Sequence, residues 1–227
     1  MDDLQKLQEQ LDIKFNHPKL LEQAFIHRSY LNEHKFPLGH NERLEFLGDA
    51  VLELIVSEHL YKEFPDKPEG ELTAIRAALV RRETLQAVAE ELGFYKYMKL
   101  SRGEAKSVTN QAAILANTVE AVIGAIFLDQ GIPGAEKFIQ KCIISKTAEI
   151  IKSQTYIDAK SHFQELAQDK DGLTPTYQVV SESGPDHNKT FEVAVLIGER
   201  EWGRGTGNSK QTAETAAATD ALQKYAD

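Results

Sequence analysis

Residues 41–49 read Asn-Glu-Arg-Leu-Glu-Phe-Leu-Gly-Asp, and this stretch decides the fold of the chain. If it is helical, Glu42, Glu45 and Asp49 share one face, because residues three and four apart are neighbours on a helix. Like charges in such a cluster repel one another, so the cluster indicates a bound cation or a catalytic task. Most other positions in 44–55 are apolar, which predicts a buried helix whose acids line an internal cleft, with a solvated acidic face as the alternative.

Composition is typical of an ordinary folded protein. The 227 residues, 41% hydrophobic and 27% charged, are enough for one large or two small domains with cores. The single cysteine, Cys142, excludes an intrachain disulfide and a cysteine-based zinc site and favours a reducing setting. The N-terminus is unlike a secretory signal and no run of 18 apolar residues occurs, so we expect a cytoplasmic protein without a membrane span. The net charge of −9 argues only weakly against nucleic acid, because a metal cluster or a basic stripe overrides the global sum.

The spacing of apolar residues predicts two domains of different architecture. Up to residue 151, three- and four-residue spacing interrupted by Pro/Gly turns predicts an all-α domain, 1–151. Its predicted helices are 4–13, 18–30, 42–63, 70–91, 104–129 and 133–151. A polar linker at 152–156 leads to a small α+β domain, 157–226, in the order α-β-β-β-α. Its predicted elements are a helix at 158–170, strands at 176–183, 189–197 and 200–206, and a helix at 209–225.

A second polar group lies in the strongly apolar segment 113–129. Asn117 and Glu120 are three residues apart there, and a carboxylate among apolar side chains must find a partner or become protonated. If Glu120 faces Glu45 and Asp49 across a helix pair, a divalent cation between them meets this need. Oxygen ligands without His or Cys indicate Mg²⁺ or Mn²⁺ rather than zinc, and such a site suits phosphodiester hydrolysis. A Glu120 bonded to backbone or to an arginine is the alternative.

Three further short stretches accompany residues 41–49 and 113–129. They are His27-Arg28-Ser29-Tyr30, Glu69-Gly70-Glu71-Leu72 and Leu79-Val80-Arg81. Together these stretches resemble the ribonuclease III endonucleases, over essentially the whole chain, in the bacterial arrangement with one nuclease domain. The resemblance implies a homodimer that cuts double-stranded RNA in rRNA and mRNA precursors, with Mg²⁺ as cofactor and Mn²⁺ able to substitute. Each centre would cut one strand, leaving 5′-phosphate and 3′-hydroxyl ends with two-nucleotide 3′ overhangs.

The same resemblance implies roles for individual residues of the first domain. Asp49 and Glu120 would be catalytic. The implied metal ligands are Glu45, Asp49, Asn117 and Glu120. Glu42 and Glu69 would line the same valley. Phe46 matches the position that inserts into a pocket of the partner subunit, and an ordinary core phenylalanine is the alternative.

Asn117 departs from the family pattern, which has Asp three residues before the Glu. Asn keeps one carbonyl oxygen that can ligate a cation, but it removes a negative charge from the site. Weaker metal affinity and slower or more metal-demanding cleavage are therefore expected, with complete loss of cleavage as the alternative. A second function stays open on this ground: a double-stranded RNA-binding protein that does not cleave and uses the nuclease fold as a dimerisation scaffold.

Residues 157–226 resemble a double-stranded RNA-binding domain, which recognises the shape of A-form RNA. One face of its first helix would meet groove hydroxyls and base edges. That face is formed by Ser161, Gln164, Glu165 and Gln168. The loop 184–189, with His187 and Lys189, would enter the next minor groove, and Lys210 at the start of the last helix would meet phosphates. A solvated helix face and a plain hairpin turn are the alternatives.

The charge of this second domain limits its expected affinity for RNA. Residues 157–227 carry seven basic and twelve acidic side chains, a net charge of −5. In addition, Gln211 stands where the family has a second basic residue after Lys210. Because fewer cations release fewer counterions from RNA, we expect modest, salt-sensitive binding.

Overall fold

The structure, a computed structural model, describes residues 2–106, 111–153, 159–185 and 189–225. The chain forms two compact units, Met1–Tyr156 and Ile157–Asp227. Most of the predicted linker, 154–156, lies outside the described residues. Its first two positions, 152 and 153, still belong to the last helix of the first unit, so the helix extends two residues beyond the predicted end.

Over its described residues, the first unit consists of α-helices joined by loops and short 3₁₀ turns. The helices are α1 Asp2–Leu11, α2 Pro18–Ala24, α3 Glu42–Glu63, α4 Glu69–Val80, α5 Arg82–Glu91, α6 Gln111–Cys142 and α7 Thr147–Ser153. The 3₁₀ turns are Arg28–Asn32, Phe94–Lys96, Glu104–Lys106 and Ile144–Lys146. The expected all-α architecture is confirmed, and α3 has the predicted bounds.

Several of the predicted helices are wrong in extent. Within the segments predicted as helices at 104–129 and 133–151, Glu104–Lys106 and Ile144–Lys146 form 3₁₀ turns. The helix predicted at 18–30 ends at Ala24, because Ile26 forms a parallel bridge with Lys99 and so requires an extended backbone. The helix predicted at 70–91 breaks at Arg81, whose ψ of 155° is extended. There the Thr84 hydroxyl donates to the Ala78 carbonyl oxygen at 2.7 Å and satisfies the end of α4. Because a single extended residue leaves the three- and four-residue spacing of apolar positions unchanged, the sequence pattern does not reveal the break at Arg81.

Helix α6 forms the centre of the first unit. It is kinked at Gly131, whose φ of 69° is left-handed, and Pro133 follows. By length and composition α6 and the helical turns after it could cross a membrane, yet more than half of that apolar stretch is buried inside the first unit. It is thus a core helix, which other helices cover.

Helices α3 and α6 approach each other more closely than side chains normally permit. A Cβ on Gly48 would lie 1.7 Å from the carbonyl oxygen of Glu120, and one on Gly124 would lie 2.2 Å from that of Leu44. Backbone therefore occupies the space that any larger residue would need. This approach places the acidic face of α3 against the turn of α6 that carries Glu120.

The expectation that α3 is buried holds for only one of its faces. One face packs in the core through Leu44, Leu52 and other aliphatic residues. On the outer side, Phe46 is 81% exposed, Leu54 58% and Tyr61 75%. The apolar residues of α3 thus lie on two faces of the helix. One face is buried in the core, and the other is exposed to solvent in the single chain.

The second unit is a three-stranded antiparallel sheet with two helices packed on it. Its elements are α8 Ala159–Asp171, β1 Thr176–Ser183, β2 Thr190–Ile197, β3 Arg200–Gly207 and α9 Lys210–Tyr225. The strand order is β1-β2-β3. Phe163 of α8, Val193 and Val195 of β2, and the alanines of α9 form the core. The α-β-β-β-α order predicted from the sequence is confirmed.

The glycine contact between α3 and α6 generates a stability prediction. We expect Gly48→Ala to lower the free energy of unfolding by about 3 kcal/mol or to prevent folding, because the new methyl group overlaps backbone that cannot move aside. Urea denaturation followed by circular dichroism measures this. Gly70→Ala is the matched control, since a Cβ there meets nothing within 4 Å and alanine favours the helix. Equal stability of the two variants would contradict the close approach.

Candidate active site and RNA-binding surface

Asn41 positions the first turn of α3, from which the acids project. This residue is buried, and its side-chain Nδ2 donates to the Ala24 carbonyl oxygen at 3.1 Å. Its backbone N–H donates to the Ile26 carbonyl oxygen at 2.9 Å, and its own carbonyl accepts from the N–H groups of Leu44 and Glu45. The start of α3 is thereby tied to the end of α2, which fixes the direction in which Glu45 points.

Glu45 and Asn117 are joined across the contact between α3 and α6. The Asn117 amide Nδ2 donates to Glu45 Oε1 at 2.8 Å. Burial raises the pKa of the Glu45 carboxyl, the hydrogen bond from Asn117 lowers it, and the negative charges of Glu42 and Asp49 raise it further. The net direction is upward, so the amide only partly offsets burial and repulsion.

Glu120 is the most strongly perturbed carboxyl group of this cluster. Burial, followed by the charges of Asp49 and Glu45, raises its pKa to about 7. Among the residues that the structure describes, no hydrogen-bond donor or cation pairs with it. The alternative of a Glu120 bonded to backbone or arginine finds no support in this part of the chain. Asp49 and Glu45 are thus near enough for their charges to act on Glu120, and a shared role of the three residues stays a prediction.

The oxygen atoms of the cluster suit a hard divalent cation, but in this structure the side chains lie too far apart to bind one ion together. Over the described ranges, no three His, Cys, Asp or Glu side chains are close enough together to ligate one ion. Asn117 also presents its NH₂ group to Glu45, rather than offering its carbonyl oxygen to the cluster. The oxygen-only donor set fits Mg²⁺ or Mn²⁺ chemically. Binding would require the carboxylates to rotate inward and the Asn117 amide to turn over.

The two predicted valley residues lie in different surroundings. Glu42 stands beside Glu45, with Oε1 3.6 Å from the Arg28 guanidinium Nη1 and Oε2 3.7 Å from the His40 ring Nδ1. Glu69 accepts a hydrogen bond from Thr73 within its own helix at 2.9 Å. It is not among the charges that perturb Glu45 or Glu120, so its place in the valley stays a prediction.

Arg28 and His40 are neighbours of the cluster to which sequence reasoning gave no role. Arg28 belongs to the 27–30 stretch, but nothing in the sequence pairs either residue with Glu42. The sequence offers two hints of these neighbours: His40 stands directly before the acidic stretch 41–49, and Arg28 is the basic residue of the 27–30 stretch. Both residues approach Glu42 from outside α3, so helical spacing could not reveal them.

Phe46 is placed on the outer face of α3. Its 81% exposure shows that the alternative of a core phenylalanine is wrong. With Leu54 and Tyr61 it forms an apolar stripe along one helix, and such a stripe is unusual on the surface of a monomer.

The predicted RNA-binding face of α8 is exposed in the second unit. Ser161, Gln164, Glu165 and Gln168 all lie on the solvent side of this helix. A polar groove of about 320 Å³ is lined by Ser161 and Gln164 and also by Gln211 near the start of α9. The structure thereby joins two of the regions that the sequence predicted to contact RNA.

Lys189 and Lys210 both lie close to the carboxylate of Glu182, a residue to which the sequence analysis gives no role. The carboxylate of Glu182 lies 3.8 Å from Lys189 Nζ and 3.7 Å from Lys210 Nζ. Only the pairing of β1 with β2 brings Glu182 to this place, so its position along the chain gave no sign of it. His187, also predicted to contact RNA, lies outside the described residues.

Comparison with known proteins agrees with both units. Residues 17–147 match the family described as Ribonuclease-III-like, and residues 159–225 match the double-stranded RNA binding motif. Ribonuclease 3 of Streptococcus sanguinis (strain SK36) is 47% identical, covering 99% of this chain and 97% of the relative. Ribonuclease 3 of Streptococcus pneumoniae serotype 19F (strain G54) is 45% identical, covering 97% and 96%.

A solved structure shows the same nuclease architecture. The nuclease domain of ribonuclease III from Campylobacter jejuni is 35% identical to this chain, with a TM-score of 0.58. The match covers 64% of this chain and 97% of that one. With the two family matches and relatives that align over nearly their whole length, this chain belongs to the ribonuclease III family of endoribonucleases, with a double-stranded RNA-binding motif after its nuclease domain.

Proposed function

We propose that this endoribonuclease hydrolyses phosphodiester bonds of double-stranded RNA at the cluster of Glu45, Asp49, Asn117 and Glu120, with Mg²⁺ as the cofactor and Mn²⁺ able to substitute. The observation that carries the proposal is Glu120. Its carboxyl is surrounded by like charges, has a pKa raised to about 7, and pairs with no cation in the described part of the chain. A divalent cation is the partner that such a carboxylate lacks.

Each residue of the cluster has a distinct task in this proposal. A divalent cation held here would neutralise charge at the scissile phosphate and would lower the pKa of the attacking water. Glu45, Asp49 and Glu120 supply the negative charge that holds the cation, and Glu120 must first release its proton. Asn117 must turn its carbonyl oxygen toward the cluster and thereby give up its hydrogen bond to Glu45.

The proposed products follow from two such centres acting on one duplex. One centre per subunit cuts one strand, which leaves 5′-phosphate and 3′-hydroxyl ends and two-nucleotide 3′ overhangs. We infer that precursors of rRNA and mRNA are the substrates, on the basis of the resemblance to bacterial relatives named Ribonuclease 3. The RNA contacts in this proposal come from the α8 face and from the loop and helix end that carry His187, Lys189 and Lys210.

A homodimer is proposed from the outer face of α3. Phe46, Leu54 and Tyr61 are exposed apolar side chains along α3 that a second copy of the chain would cover. One Campylobacter jejuni structure of the nuclease domain is described as showing flexibility in a region involved in dimer formation. The pairing of two like stripes would also provide the two centres that the proposed products require.

The dimer generates a prediction on Leu54. We expect Leu54→Lys to raise the dimer dissociation constant at least about 100-fold, because a charge buried in an apolar interface has no partner. Sedimentation velocity of the parent and the variant measures this. Tyr95→Lys is the matched control, since Tyr95 is 61% exposed but lies outside α3. A monomeric parent chain, or an unchanged dimer of Leu54→Lys, would refute the proposed interface.

A non-cleaving RNA-binding protein is the second candidate, and one contact favours it. The Asn117 amide bonds Glu45 in the position where the family has a carboxylate. If the amide cannot turn, the cluster has one charge fewer and one carboxylate oxygen occupied. The nuclease fold would then serve only to hold two RNA-binding units together.

Asn117→Asp separates the two candidates. We expect the parent to cleave a long RNA duplex with an Mg²⁺ requirement, and the variant to reach half-maximal rate at an Mg²⁺ concentration about tenfold lower, because a fourth carboxylate strengthens the cation site. Gel analysis of duplex products over an Mg²⁺ titration measures this. Asn32→Asp, which adds the same charge at an exposed position, is expected to behave as the parent.

Each outcome of this titration assigns one candidate. Cleavage by the parent makes Asn117 a working ligand. Binding without cleavage that Asn117→Asp restores makes the parent a double-stranded RNA-binding protein with one charge missing. If neither chain cleaves with Mg²⁺ or Mn²⁺, the proposed active site is refuted.

A further inference from the structure

One acid stands between the two lysines that are proposed to contact RNA phosphates. Glu182 belongs to β1, Lys189 directly precedes β2, and Lys210 begins α9. Glu182 Oε2 lies 3.8 Å from Lys189 Nζ, and Glu182 Oε1 lies 3.7 Å from Lys210 Nζ. Each oxygen of a single carboxylate thus faces a different lysine.

The register of the sheet fixes this meeting point. Glu182 of β1 pairs with Phe191 of β2, which pairs in turn with Gly207 of β3. Phe191 packs against the core under the two helices, so paired side chains on this row point to the same side of the sheet. Lys210 Nζ lies 5.8 Å from the centre of the Phe191 ring. Strand pairing therefore fixes Glu182 beside Phe191, and the Lys210 ammonium group lies near the ring of that same residue.

We propose that Glu182 lowers the affinity of this unit for double-stranded RNA by competing with phosphates for Lys189 and Lys210. The inference rests on the proposed role of these two lysines in RNA binding. When a phosphate approaches either ammonium group, a second negative charge already lies within 4 Å of that group. The phosphate is attracted by the lysine and repelled by the carboxylate, so the net attraction is smaller than two lysines alone would give.

The opposite role, in which Glu182 holds the lysines in a productive position, fits the geometry less well. Both separations exceed hydrogen-bonding distance, so the carboxylate does not fix the direction of either ammonium group. The side chains are also well exposed, at 41% for Glu182, 39% for Lys189 and 60% for Lys210. Exposed ion pairs of this kind order their side chains weakly.

The excess of acidic side chains in the second unit increases the expected effect of Glu182 on RNA binding. Residues 157–227 carry seven basic side chains against twelve acidic ones. Lys160, Arg204 and Lys224, three of the seven, pair with acids elsewhere in the unit. With so few cations available, a carboxylate that faces two of them has a larger effect than one acid among many would suggest.

Glu182→Gln in the full-length chain tests the proposal. Fluorescence anisotropy with a labelled RNA duplex of about 20 base pairs, in EDTA so that no cleavage occurs, gives the dissociation constant. At about 50 mM salt we expect the variant to bind about three- to tenfold more tightly than the parent. The difference should shrink at about 200 mM salt, because screening weakens the repulsion.

Glu199→Gln is the matched control. It makes the same change in net charge, but Glu199 lies in the turn between β2 and β3, at the opposite end of the sheet from Glu182. Binding by Glu199→Gln should equal that of the parent. Equal tightening in both variants would show a general effect of net charge and would overturn the proposed local competition.

Lys210→Gln separates a failure of this inference from a failure of the RNA-binding surface. If Lys210→Gln weakens binding about tenfold while Glu182→Gln leaves it unchanged or weaker, the surface stands and the competition is refuted. If Lys210→Gln and Lys189→Gln both bind as the parent does, the surface is wrong, and the role of Glu182 falls with it.

Discussion

The close contact of α3 and α6 is the constraint on which the rest of the nuclease unit depends. Because Gly48 and Gly124 lack side chains, the backbone of each helix occupies the space that a Cβ atom on the facing glycine would need. Burial of the apolar residues of α6, many of them fully inaccessible, stabilises this contact. The acids of α3 and Glu120 of α6 are carried along by the helices, so repulsion among carboxylates is a consequence of the packing.

Burial of Glu120, together with that repulsion, makes the metal-free fold sensitive to pH. The pKa of Glu120 is about 7 in the folded chain against an ordinary value of 4.5, so the folded state keeps a proton that the unfolded chain has released. The folded state therefore loses stability as pH rises from about 4.5 through about 7. A cation bound among the carboxylates would replace the proton and restore the lost stability. Burial contributes most to the raised pKa, and the charges of Asp49 and Glu45, which add to it, are the part that would also attract a cation.

Much of this arrangement could be predicted from the sequence, because the spacing of 42, 45 and 49 and of 117 and 120 follows from the helical repeat. The α-β-β-β-α order was likewise visible in the change of periodicity. The break at Arg81 was not, since one extended residue leaves the apolar spacing intact. Phe46 could not be assigned to the surface or the core, because apolar residues serve both faces of α3. The proximity of Glu182 to Lys210 could not be predicted either, because it depends on the register of the strands.

The central claim, that Glu120 exchanges a proton for a divalent cation, is tested most directly by calorimetric titration of Mg²⁺ into the metal-free protein. Measurements at pH 6 and pH 8, each in two buffers of different ionisation enthalpy, give the protons released per bound ion. With a pKa of about 7, the account predicts release of about one proton at pH 6 and almost none at pH 8, with tighter binding at pH 8. Glu120→Gln should abolish the release. Binding at pH 6 without proton release, or no binding at either pH, would contradict the account.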